Sequence, residues 1–131
     1  MIASNARGEK MFTIDEVQNI LEEISAEVPE EFYRELNGGI SLVPEAKPHP
    51  EAKTGDMLVL GEYCRDQMGR YIVIYYGSIC SSFPEISREA LHERLKKLIF
   101  HEFTHHIESL AGENALEIKD RIQIEKYKKK R

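Results

Sequence analysis

The 131-residue chain has only two cysteines, no apolar run near the roughly 20 residues that cross a bilayer, and no glycine or proline between Ser87 and Gly112. Each shortage excludes something. Cys64 and Cys80 are too few for a disulfide framework and lack zinc-finger spacing, so they read as reduced core residues of a cytoplasmic protein. Without an apolar span there is no membrane helix. The first ten residues, Met1 to Lys10, also lack the apolar core of a secretory signal and read as a disordered lead-in. Cationic surplus is missing too. The net charge is −5, and seven basic against two acidic residues from Lys119 to Arg131 leave −10 on the other 118. An acidic body disfavours nucleic acid as a partner, and residues 128–131 read as a solvated basic tail. What is present, 41% hydrophobic and 31% charged residues, suits one globular domain over residues 11–127.

Thr13-Ile14-Asp15-Glu16 has the form of a capping box, and Val17, Ile20, Leu21 and Ile24 follow at helical spacing, predicting a helix over about 14–27. Pro29 opens a short turn through Phe32, Tyr33 and Leu36 that Gly38-Gly39 ends. Strands are expected near Ile40–Val43, Met57–Leu60 and, most clearly, Tyr71–Tyr76, with a loop from Pro44 to Gly55, a turn at Asp66–Gly69 and a stop at Gly77. Ser87 is a good N-cap for a long helix over about 88–111. Gly112 is its expected stop, and a further helix runs over about 114–127.

The chemistry lies in His101-Glu102-Phe103-Thr104-His105. Four residues on a helix amount to a rotation of about 40° and a rise of about 6 Å, so both imidazoles can close on one metal ion. Glu102, beside them, can serve as general base toward a metal-activated water. Such a site needs a third protein ligand. Glu108 shares the face of His105, while Glu113, Glu117 and Asp120 follow the expected turn at Gly112; a site with no third protein ligand also stays open. His106 lies about 100° off the ligand face, which fits packing or support rather than ligation.

His101 to His106, the long helix before it, the Tyr71–Ser78 strand segment and the acidic N-terminal helix together resemble the minimal zincin-like metallopeptidase family of bacteria, from about residue 11 onward and best over Tyr71–Gly112. The resemblance implies an α+β fold, a short mixed sheet packed against a long motif-bearing helix with N-terminal and C-terminal helices. It also implies a zinc ion and cleavage of peptides or unfolded protein segments. The family usually has a glycine three residues after the second histidine and an aspartate six after; here those positions are Glu108 and Ala111. One extra helical turn adds about 5.4 Å, which about two extended residues recover, so a returning ligand shifts from Ala115 to Glu117, provided that segment is not helical. In zincin-like enzymes an edge strand before the motif lines the cleft. Tyr71–Tyr76 is a candidate, with Tyr75 and Tyr76 toward substrate, although the strand can equally pair within its own sheet. The missing aspartate favours a second reading, a non-catalytic metal-binding or peptide-recognition module.

Overall fold

Local signals set the first helix. Thr13 and Glu16 cap each other reciprocally, Glu16 N donating to Thr13 Oγ1 at 3.1 Å and Thr13 N to Glu16 Oε1 at 2.8 Å. Helix α1 spans Ile14–Glu27 and buries Val17, Ile20, Leu21 and Ile24. The computed structural model describes residues 11–51 and 57–129, with side chains up to Gly112. The expected lead-in over residues 1–10 and the end of the basic tail, residues 130–131, lie outside them.

A 3-10 turn, Glu30–Tyr33, follows Pro29, and Tyr33 Oη donates to the Ser25 carbonyl at 2.7 Å. The chain then passes Glu35, whose φ of 61° is left-handed, and enters β1, Gly39–Val43. The expected 44–55 loop contains a short strand, β2 (Lys47–Pro48), which pairs antiparallel with β3 (Leu58–Val59). Strands β4 (Gly61–Asp66) and β5 (Gly69–Tyr75) form a hairpin. Asp66 Oδ1 accepts from Met68 N within its turn, and Gly69 closes it at φ 108°. A Cβ at Gly69 would sit 3.1 Å from Asn37 Oδ1, so both backbone and space require glycine there.

The main sheet has the order β1-β5-β4, with β1 parallel and β4 antiparallel to β5. The fold is therefore α+β with a small mixed sheet, as expected. The Tyr71–Tyr76 strand, however, is central rather than an edge, and it ends at Tyr75. Helix α2, Tyr76–Ser82, starts at once, so Gly77 lies inside a helix instead of ending a strand. Its glycine has a tertiary cause. A Cβ there would fall 2.7 Å from Ala46 N, and Gly77 N donates to the Glu45 carbonyl at 3.0 Å.

Helix α3 begins after Ser87, whose Oγ accepts from Ala90 N at 3.1 Å, and runs from Arg88 to Lys129. The stop expected at Gly112 is not made. A mid-helix glycine costs only about 1 kcal/mol relative to alanine, and no proline follows to enforce a break. Leu91, Leu95, Ile99 and Phe103 recur every four residues along α3 and are at most 1% exposed. They meet the α1 stripe and Ile72 and Ile74 of β5 in one core. Among the described residues no helix is long and apolar enough to cross a membrane.

Candidate functional site

With Phe103 in the core, the opposite face of the same α3 turns carries His101 and His105, both exposed. Their rings stand nearly perpendicular, 87° apart in plane, with centroids separated by 4.6 Å. The two Nε2 atoms approach to 3.1 Å. At that distance two nitrogens can share one proton, and they can equally share one cation. Two imidazole nitrogens on a tetrahedral zinc, each about 2.0–2.1 Å from it, lie about 3.3 Å apart, so the separation of the donor pair is close to that of two ligands on one such ion. Among the described residues, however, no third His, Cys, Asp or Glu completes a set of three donors around the pair.

Glu102 is turned away from solvent and only 5% exposed. It borders an open cavity of about 450 Å³ together with His105, Ser109, Gly61, Glu62 and Tyr63. Burial pushes its carboxyl above the usual carboxylate range, against the pull of the His101 and His105 rings and of a hydrogen bond from the Tyr63 backbone. Strand β4 supplies that bond. Tyr75 N donates to the Leu60 carbonyl at 2.9 Å, so Leu60, Glu62 and Cys64 turn their backbone groups toward β5 by the antiparallel alternation. Gly61, Tyr63 and Arg65 turn theirs outward. No strand covers that side of β4 among the described residues.

Glu62 is a residue the sequence did not single out. It shares a sheet face with Tyr75 yet still borders the cavity. Its Oε1 accepts from Lys47 Nζ and from Tyr75 Oη, each at 2.5 Å. These bonds, Lys47 first, hold its carboxyl below the usual range, while Glu62 holds the Lys47 ammonium above its own. Burial, reinforced by Glu62, pushes the Tyr75 hydroxyl up. The loop bearing Lys47 is pinned, since Lys47 N donates to the buried Ser78 Oγ at 2.9 Å. One cavity thus holds two carboxylates whose surroundings push them in opposite directions.

His106 supports the site, as its position predicts. It is fully buried, its Nε2 donates to the Arg34 carbonyl at 2.7 Å, and its Nδ1 then accepts from Tyr63 Oη at 2.9 Å. One ring therefore ties α3 to β4 and to the turn before β1.

His101, Glu102 and His105 come together as the motif predicts; Tyr75, Tyr76 and Glu108 do not join them. Tyr76 is turned away, its hydroxyl donating to the Phe12 carbonyl at 2.5 Å. Tyr75 reaches the cavity only through Glu62. Glu108 stands 3.9 Å from His105 Nδ1, on the far side of the ring from the Nε2 pair. The side chains of Glu113, Glu117 and Asp120 lie outside the described residues. The condition behind Glu117 is not met, because the unbroken helix carries position 117 about 18 Å along the axis past His105. Cys64 and Cys80 are unpaired, as expected.

No family model matches the chain, and no curated protein matches it. Among solved structures it is similar to a conserved hypothetical protein from Thermo thermophilus, at 35% identity and a TM-score of 0.62, over 76% of this chain and 98% of that one. At that identity and coverage, the chain belongs to the same family as that protein.

Proposed function

We propose that the chain is a zinc-dependent peptidase of the zincin-like type, with His101 and His105 as two protein ligands and Glu102 as general base. The observation that carries this reading is the 3.1 Å approach of the two Nε2 atoms on the exposed face of α3. When bound, zinc would supply Lewis acidity, bringing the pKa of water from 15.7 to about 7 and polarising a scissile carbonyl. Glu102 takes the proton released by the attacking water and returns it to the departing amine. It borders the open cavity beside His105, where it can accept that proton and return it. The substrate is an extended peptide or unfolded segment added along the outer side of β4, where the Gly61 N–H and the Gly61 and Tyr63 carbonyls point outward. The Tyr63 N–H, on the same edge, favours the charged form of the Glu102 carboxyl. Unpaired Cys64 and Cys80 suit a reducing compartment such as the cytoplasm.

The lack of a third donor among the described residues favours a second reading, a metal-binding or peptide-recognition module that does not cleave. Metal content of the purified protein, and cleavage of a mixed peptide library with and without chelator, separate the two. In a peptidase, Glu102→Gln keeps its zinc and loses about 10²–10⁴-fold in rate. His101→Ala or His105→Ala instead loses the metal. Undiminished cleavage by Glu102→Gln would remove the base assignment, and no chelator-sensitive cleavage by the wild type would leave the second reading standing.

A further inference from the structure

A second cavity, of about 330 Å³, opens on the other side of the histidine pair. Leu60, Phe83, Leu98 and His101 form its walls, with the exposed Arg94 and Lys97 at its rim. Its character is opposite to that of the first. The cavity beside His105 has two carboxylates, whereas this one is apolar and edged by cations. Arg94 packs its guanidinium over the Phe83 ring at 5.3 Å from the centroid, which orients the cation while leaving its N–H groups to other partners. Among the described residues neither Arg94 nor Lys97 has a carboxylate partner.

The two cavities follow one line. Leu60 immediately precedes β4 and borders the apolar cavity; Gly61 to Tyr63 border the acidic one. His101 and His105 repeat the order along α3. A strand laid on the outer side of β4 therefore passes from one cavity to the other across the histidine pair. We propose that the Leu60–Leu98 cavity is a specificity pocket for a large aliphatic side chain of a peptide, with an acidic residue next to it held by Arg94 and Lys97. This deepens the peptidase reading and rests on it for the peptide's direction along β4.

Binding tests it without cleavage. The Glu102→Gln chain is titrated with acetyl-Ala-Ala-Leu-Asp-Ala-Ala-amide, following affinity by calorimetry and the Leu60 and Leu98 methyl signals by NMR. Replacing the peptide's Leu by Ser, or its Asp by Lys, should weaken binding by about tenfold each, the scale of one buried aliphatic side chain. Arg94→Glu combined with Lys97→Glu, both surface changes, should reverse the charge preference. Equal affinity for all the peptides, no binding of any, or shifts confined to other methyls would overturn the pocket. Selective binding without cleavage by the wild-type chain would sink the peptidase reading alone, and cleavage without selectivity would sink the pocket alone.

Discussion

The Tyr63–His106 contact can be measured as a coupling energy. His106 is fully buried and both ring nitrogens are engaged, by the Arg34 carbonyl at 2.7 Å and Tyr63 Oη at 2.9 Å. Tyr63→Phe removes one donor and leaves Nδ1 buried without a partner, a loss of about 1–3 kcal/mol. His106→Phe strands the Arg34 carbonyl and the Tyr63 hydroxyl together, for about 2–4 kcal/mol. Once the ring is gone, removing the hydroxyl as well takes away a group with nothing to bond, so the double variant should be less damaged than the sum of the singles. The expected coupling is about 1–2 kcal/mol. Urea denaturation reads it directly: with a slope of about 1–3 kcal/mol per molar, a 2 kcal/mol loss lowers the midpoint by about 1 M. Additivity to within about 0.3 kcal/mol would refute the claim that this ring clamps α3 to β4.

Three further outcomes follow from the geometry. Gly112→Ala should raise stability by about 0.5–1 kcal/mol, since a Cβ there meets nothing within 4 Å and the position is helical, and thermal melting that shows a loss would mean the helix breaks there after all. Glu35→Gly relieves a left-handed φ of 61°, worth about 1 kcal/mol, and forfeits an exposed pair with Arg34 worth little, but it also takes a carboxylate 3.7 Å from Arg70, whose side chain is only 12% exposed, so the net gain should stay below about 1 kcal/mol; a larger rise of the urea midpoint would show that the Arg70 pair contributes nothing. In metal-free protein, Glu102→Gln should stabilise at neutral pH. The folded chain holds the Glu102 proton more tightly than the unfolded chain, so the wild type loses stability as pH rises from 4.5 through the folded pKa, and the advantage of Gln should vanish below pH 4.5; a pH-independent difference would count against the burial-driven shift.

What could be read from the sequence was what the chain decides locally. Thr13 with Glu16 and Ser87 with Ala90 place two helix starts because each cap bonds within three residues. His101, Glu102 and His105 were legible because one helical turn contains all three. Strand β4 was not, because Gly61-Glu62-Tyr63-Cys64-Arg65-Asp66 shows no apolar alternation; it is held by pairing with β5 and by contacts from α3 that no local pattern records. Glu62 went unnoticed for the same reason, since its partners Lys47 and Tyr75 come from two other strands. Gly77 and Gly112 both looked like stops. The first is glycine because the 44–46 backbone passes too close for a Cβ, and the second is simply tolerated within α3.

The uncovered side of β4 has a consequence for how the protein behaves at high concentration. A row of outward N–H and C=O groups that can accept a peptide can also accept the same strand from another molecule, the first step of edge-to-edge aggregation. Two features blunt it: the strand is only six residues long, and Glu62, Arg65 and Asp66 place charge along it. Substituting Arg65 with valine to improve strand propensity would make this segment more adhesive while leaving the fold intact, and the gain would appear as turbidity in concentrated samples.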